Sequence, residues 1–141
     1  MMSGVKHFIR QGWANGVHAA IVCEPVDNHL CITQKGALRA ELMTIGKMSH
    51  GAMPLAGLNP IPPMISILEK MGQLEEGEIE RLGKNPFLGY PSITPTVVQA
   101  PAKGEPQLNV IPQQCRALLD IRTVPGQSHE VLKKALENIV L

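Results

Sequence analysis

Aromatic side chains are scarce: one Trp, one Tyr and two Phe make up 3% of the 141 residues. So few rings leave little on which nucleic-acid bases could stack. No charge of one sign dominates, because 13 Lys and Arg meet 12 Asp and Glu for a net +1. With no basic cluster either, the sequence gives no support for a nucleic-acid partner. No apolar run approaches the roughly 20 residues of a bilayer-spanning helix. The N-terminus also lacks the charged-then-apolar order of a signal peptide. No membrane association is expected, and the chain reads as cytoplasmic. Cys23, Cys31 and Cys115 form no CxxC and cannot all pair, so they read as buried, reduced thiols.

Apolar residues are plentiful at 44%, and the length suits one ordinary domain better than two. Twelve prolines and thirteen glycines promise short elements with long connections.

Residues 4–16 read as a weak helix or loop. The run His18–Pro25 has the length and Val/Ile content of a short buried strand, ended by Pro25. From Leu30 to Met48 the pattern is β: Leu38, Ala40 and Leu42 alternate with Arg39 and Glu41. A loop follows from Ser49 to Pro60. Asn59 suits a helix N-cap and Pro60 a first helical position. Ile61, Met64, Ile65, Leu68 and Met71 then recur at helical spacing. Gly72–Pro91 reads as a broken helix or an irregular connection, with Glu75 and Glu76 on a solvated face. Ile93–Ala100 reads as a strand, and Pro95 inside it argues for a sheet edge. In Leu108–Val124, Cys115, Ala117, Leu119 and Ile121 point one way while Arg116, Asp120 and Arg122 point the other. After the turn Pro125–Gln127, Ser128 caps a last helix with an apolar stripe running from Val131 to Val140.

From residue 30 the order is β–α–β–β–α, one strand short of the split βαβ arrangement. The expected class is α+β: a two-layer, ferredoxin-like antiparallel sheet with two helices on one face. The last helix has an apolar stripe that expects a sheet beneath it, so the chain reads as cut just before its final strand.

Four stretches fall into one order: "VCEP" at 22–25, "GKMSHGAMPLAGLNP" at 46–60, "NVIP" at 109–112 and "DIRTVPGQS" at 120–128. Together they resemble the zinc-dependent aminoacylase and carboxypeptidase family that includes acetylornithine deacetylase, succinyl-diaminopimelate desuccinylase and glutamate carboxypeptidase. The resemblance implies a catalytic domain with two zinc ions and a smaller inserted lid domain that mediates homodimerisation. On it, residues 1–29 are a remnant of the catalytic domain and residues 30–141 are the lid. The implied substrate of the intact enzyme is a small N-acyl amino acid or peptide.

The resemblance also assigns roles by position. Glu24 matches a metal ligand, although Val26 stands where the family has threonine. His50 matches the lid histidine that reaches a partner's active site and stabilises an oxyanion. From the residues alone it reads as an exposed loop histidine. Arg122 matches an arginine that grips a substrate carboxylate, for which two parallel donors suit; a surface ion pair with Asp120 is the competing reading. Asn109 matches an asparagine that approaches the substrate, or else shapes the turn into "VIP". Gln34 and Lys35 replace arginines of the desuccinylases, which leaves that substrate open. The family's His-x-Asp, bridging Asp, Glu-Glu pair and late His have no counterparts here. This chain alone is therefore expected to bind no zinc and to be inactive, one carboxylate being too few donors. The alternative is a stand-alone dimerisation or binding module of the same fold.

Overall fold

The computed structural model describes residues 3–23, 27 and 29–140. It divides into two compact units, Met1–Ile32 and Thr33–Leu141. The first holds a short helix α1 (Ser3–Arg10). Trp13 packs edge-on against His7 and Phe8, with ring centroids 5.9 and 5.7 Å apart. The strand expected at His18–Pro25 does not form over residues 18–23, where Ile21 and Val22 are 89% and 77% exposed. A buried strand needs neighbours on both faces, and among the described residues of this unit the one regular element is α1. Cys23 and Cys31 are likewise exposed, and only Cys115 is the buried thiol expected. Glu24 and Pro25 lie outside the described residues.

The second unit is α+β. Its main sheet contains β1 (Gly36–Ile45), β3 (Ser92–Gln99) and β5 (Gln114–Thr123). The helices are α2 (Ile61–Leu82) and α3 (His129–Val140). Two short strands, β2 (Ser49–His50) and β4 (Val110–Ile111), form a separate ribbon. In the main sheet β5 is central, and both β1 and β3 run antiparallel to it. Strands β1 and β3 are therefore parallel, joined by α2 and separated by β5, which is the split βαβ pattern.

The alternation read in β5 is the core of the unit. Cys115, Ala117, Leu119 and Ile121 are buried with Leu42, Ile93, Met64 and Met71 of α2, and Leu132 and Leu136 of α3. Helix α2 runs unbroken through Gly72 and Gly77, against the interruption expected there. Complete burial of Met64 and Met71 stabilises by about 1.5–3 kcal/mol each. That exceeds the roughly 1 kcal/mol that each interior glycine costs.

Several boundaries move. Strand β1 starts at Gly36 rather than Leu30, and Leu30 and Ile32 are exposed. The stretch 108–124 is two strands, parted by Pro112 and Gln113. Pro60 takes the cap position of α2, yet Asn59 Oδ1 still accepts the Ile61 N–H at 3.1 Å. Glu75 is no idle solvated carboxylate: it accepts the Ile93 backbone N–H and so anchors the start of β3 to α2. Pro95 and a register shift between Pro95 and Val97 mark β3 as an edge strand, as read. The stripe on α3 is narrower than expected, because Val131 faces solvent.

Candidate functional site

The loop from Gly46 to Pro60 is a clamp. Lys47 and Leu58 exchange backbone hydrogen bonds of 2.8 and 2.9 Å across it. The Gly46 N–H reaches Gln113 O and the Gly51 N–H reaches Asn109 O, both at 2.7 Å. Between these ties, Ser49 and His50 pair with Ile111 and Val110. The glycines permit the closeness. A Cβ on Gly57 would stand 2.3 Å from Ser49 Oγ, and one on Gly46 would stand 2.2 Å from Leu58 O.

His50 sits exposed at the tip. The Ala52 backbone N–H donates to its Nδ1 at 3.1 Å, and its own carbonyl accepts the Met53 N–H at 2.8 Å. The Asn109 side-chain amide lies 3.4 Å from Nε2. Met53, Leu55 and Leu108, on the same two loops, are exposed. An imidazole held this way can offer one ring nitrogen to a ligand while the other is fixed by the backbone.

Arg122 belongs to a different region. It projects from the sheet face opposite the helices, in register with Ala37 and Ser92. Its Nε donates to Asp120 Oδ2 at 2.7 Å, and Arg39 approaches Oδ1 of the same carboxylate at 3.5 Å. The hydrogen bond from Arg122 holds the Asp120 carboxyl below the usual aspartate range, outweighing partial desolvation, with Arg39 assisting. An open depression of about 600 Å³ lies here, lined by Arg39, Glu41, Thr96, Leu118, Asp120 and Arg122.

Thus His50 and Asn109 are brought together, and Arg122 is not with them. Arg122 lies eight positions along β5 from Gln114, roughly 27 Å at strand rise. The His50 ribbon lies at the Gln114 end. Glu24 lies outside the described residues. Among the described residues, no three His, Cys, Asp or Glu side chains come together as a metal site.

Two participants and one contact were not read from the sequence. The Ala52 N–H carries no side-chain signal. Arg39 becomes visible only through its register with Asp120. The contact of His50 with Asn109 spans 59 residues and needs the β2–β4 pairing.

Comparison with known proteins adds a family. The peptidase dimerisation domain matches residues 32–141. The chain is 30% identical to acetylornithine deacetylase of Myxococcus xanthus over 98% of its own length and 35% of the relative's. It is 27% identical to a succinyl-diaminopimelate desuccinylase of Ruegeria over 84% of its length and 30% of the relative's. It therefore spans about a third of these relatives. A metallo-carboxypeptidase of the M20 family from Sulfolobus solfataricus shares the fold, with a TM-score of 0.57 at 17% identity. That match covers 76% of this chain and 40% of that one.

Proposed function

The chain belongs to the peptidase dimerisation domain family, and on that premise we propose that it pairs with a second copy of itself to complete an amide-hydrolysing site. In this reading residues 30–141 are the lid of a metal-dependent amidohydrolase, and residues 1–29 are part of its catalytic domain. The substrate class is a small N-acyl amino acid or peptide. The names of the relatives, a deacetylase and a desuccinylase, support cleavage of an acyl group from an amino acid. Zinc is the proposed metal, with Glu24 as one ligand. The remaining ligands are other residues of the intact enzyme.

The observation that carries the reading is the separation of His50 from Arg122. An N-acyl amino acid is far shorter than the roughly 27 Å between their ends of β5. One substrate molecule cannot touch both groups of one chain, but it can touch Arg122 of one protomer and His50 of its partner. Arg122 would hold the substrate carboxylate through its paired N–H groups. His50 Nε2 would donate to the carbonyl oxygen as negative charge develops.

The test is a substrate screen on the full-length protein, wild type and His50→Ala. Loss of turnover by roughly 100- to 1,000-fold in the variant supports the oxyanion role. An unchanged rate returns His50 to an ordinary loop residue. The 141-residue chain alone, with added zinc, should hydrolyse nothing. Chelator-sensitive turnover by it would refute the lid reading, and a full-length protein without hydrolytic activity would leave the stand-alone module.

A further inference from the structure

A neutral imidazole carries one proton, on either nitrogen, and the surroundings decide which. At His50 the Ala52 backbone N–H points at Nδ1 from 3.1 Å. A backbone N–H is only a donor, so Nδ1 must present its lone pair and the proton must sit on Nε2. Nε2–H then faces the Asn109 amide at 3.4 Å. With the amide nitrogen on that side, two donors would oppose each other. A half-turn about χ2 places Oδ1 there instead and makes the contact attractive.

We infer that the Ala52 N–H fixes His50 in the Nε2–H tautomer, and that Asn109 is a positioning residue whose Oδ1 accepts that N–H until a ligand oxygen replaces it. The inference builds on the proposed oxyanion role. The donor is present before the substrate arrives, with no proton to be taken up, and it is not left unpartnered in the resting chain.

The backbone is arranged for this. Gly51 donates its N–H to Asn109 O at 2.7 Å, which locks the two loops in register directly beside both side chains. The His50 carbonyl accepts the Met53 N–H at 2.8 Å, closing the tight turn that aims the Ala52 N–H back at the ring. A Cβ on Gly51 would come to 3.3 Å from Asn109 O, a tight contact that would press the two loops a few tenths of an ångström apart.

The ring nitrogens can be read directly by long-range proton–nitrogen NMR on the ¹⁵N-labelled 141-residue chain. The spectra are recorded at a pH of about 8.5, well above the ordinary histidine value of roughly 6.5. His50, assigned by the loss of its signals in His50→Gln, should show pyridine-type Nδ1 and pyrrole-type Nε2 with no averaging. His7 and His18, exposed and with no hydrogen-bond donor to the ring among the described residues, are the internal reference for averaged tautomers. An averaged pattern at His50, or a proton on Nδ1, overturns the inference.

Asn109→Asp supplies only acceptor oxygens, so it should keep the Nε2–H tautomer and move that proton downfield. If Asn109 instead donates to the ring, the same variant abolishes the wild-type pattern and the inference fails. In the full-length enzyme, Asn109→Asp should retain more kcat than Asn109→Leu, with KM little changed in either. Equal loss in both contradicts a positioning role. The NMR result stands apart from turnover: a fixed tautomer with an unaffected His50→Ala rate would refute the functional reading and leave this one intact.

Discussion

Arg122 Nε donates to Asp120 Oδ2 at 2.7 Å, while Arg39 on the neighbouring strand reaches the other oxygen of the same carboxylate at 3.5 Å. Two guanidinium groups thus share one aspartate on the open face of the sheet. The hydrogen bond from Arg122 is the main reason the Asp120 carboxyl is held below its ordinary value of 3.8. A depressed folded-state pKa adds stability that is present above the unfolded value and lost as pH falls through the folded one. Glu78 behaves alike, lowered from 4.5 chiefly by its hydrogen bond from Arg81, with Gln127 helping against desolvation. Urea midpoints of the chain should therefore drop as the pH is taken below the ordinary carboxylate range. Asp120→Asn and Glu78→Gln should each flatten that drop. An unchanged acid slope in both variants would contradict the assignment.

Glycines at two positions should respond oppositely to alanine. Gly57→Ala drives a Cβ to 2.3 Å from Ser49 Oγ and 2.7 Å from Lys47 O. Backbone cannot yield cheaply there, so a loss of about 1–3 kcal/mol is expected, with the His50 resonances shifted. Gly77 lies inside α2 with nothing within 4 Å of an added Cβ. There alanine should stabilise by about 0.5–1 kcal/mol. Equilibrium unfolding of the two variants reads both signs, and stabilisation by Gly57→Ala would show that the clamp is looser than described.

The contrast explains what the sequence revealed. The β5 alternation was legible because period-2 burial is written into one strand. The continuity of α2 was not, because local propensity counts Gly72 and Gly77 as breaks while Met64 and Met71 are held by distant strands. The apolar run from His18 misled for the opposite reason: it has strand composition without strand neighbours. At the site, the motif around His50 was readable as a pattern. Its contacts were not, since Asn109, itself a candidate, meets His50 only through a two-residue ribbon and Ala52 contributes only backbone. Arg122 was readable as a candidate, but its distance from His50 emerges only once β5 is laid out.

Self-association is the next expectation. Among the described residues strand β3 pairs with β5 on one side only, so its other edge is open to strand pairing. Val98, 58% exposed, lies in its regular segment after the bulge. The chain should dimerise in a concentration-dependent way by analytical ultracentrifugation. Val98→Lys should weaken the dimer by tenfold or more, about 1.4 kcal/mol. A chain that stays monomeric at high concentration would refute pairing. An unaffected dimer in Val98→Lys would move the interface away from β3.

The central claim is that one site draws Arg122 from one protomer and His50 from the other. Mixing full-length His50→Ala and Arg122→Ala, each nearly inactive, and letting the subunits exchange tests it directly. In a two-fold dimer, half the molecules become mixed, and each of these regains one complete site. Activity should recover to about one quarter of wild type. No recovery, with subunit exchange verified, would place both residues in the same protomer's site or outside it, and the account would fall.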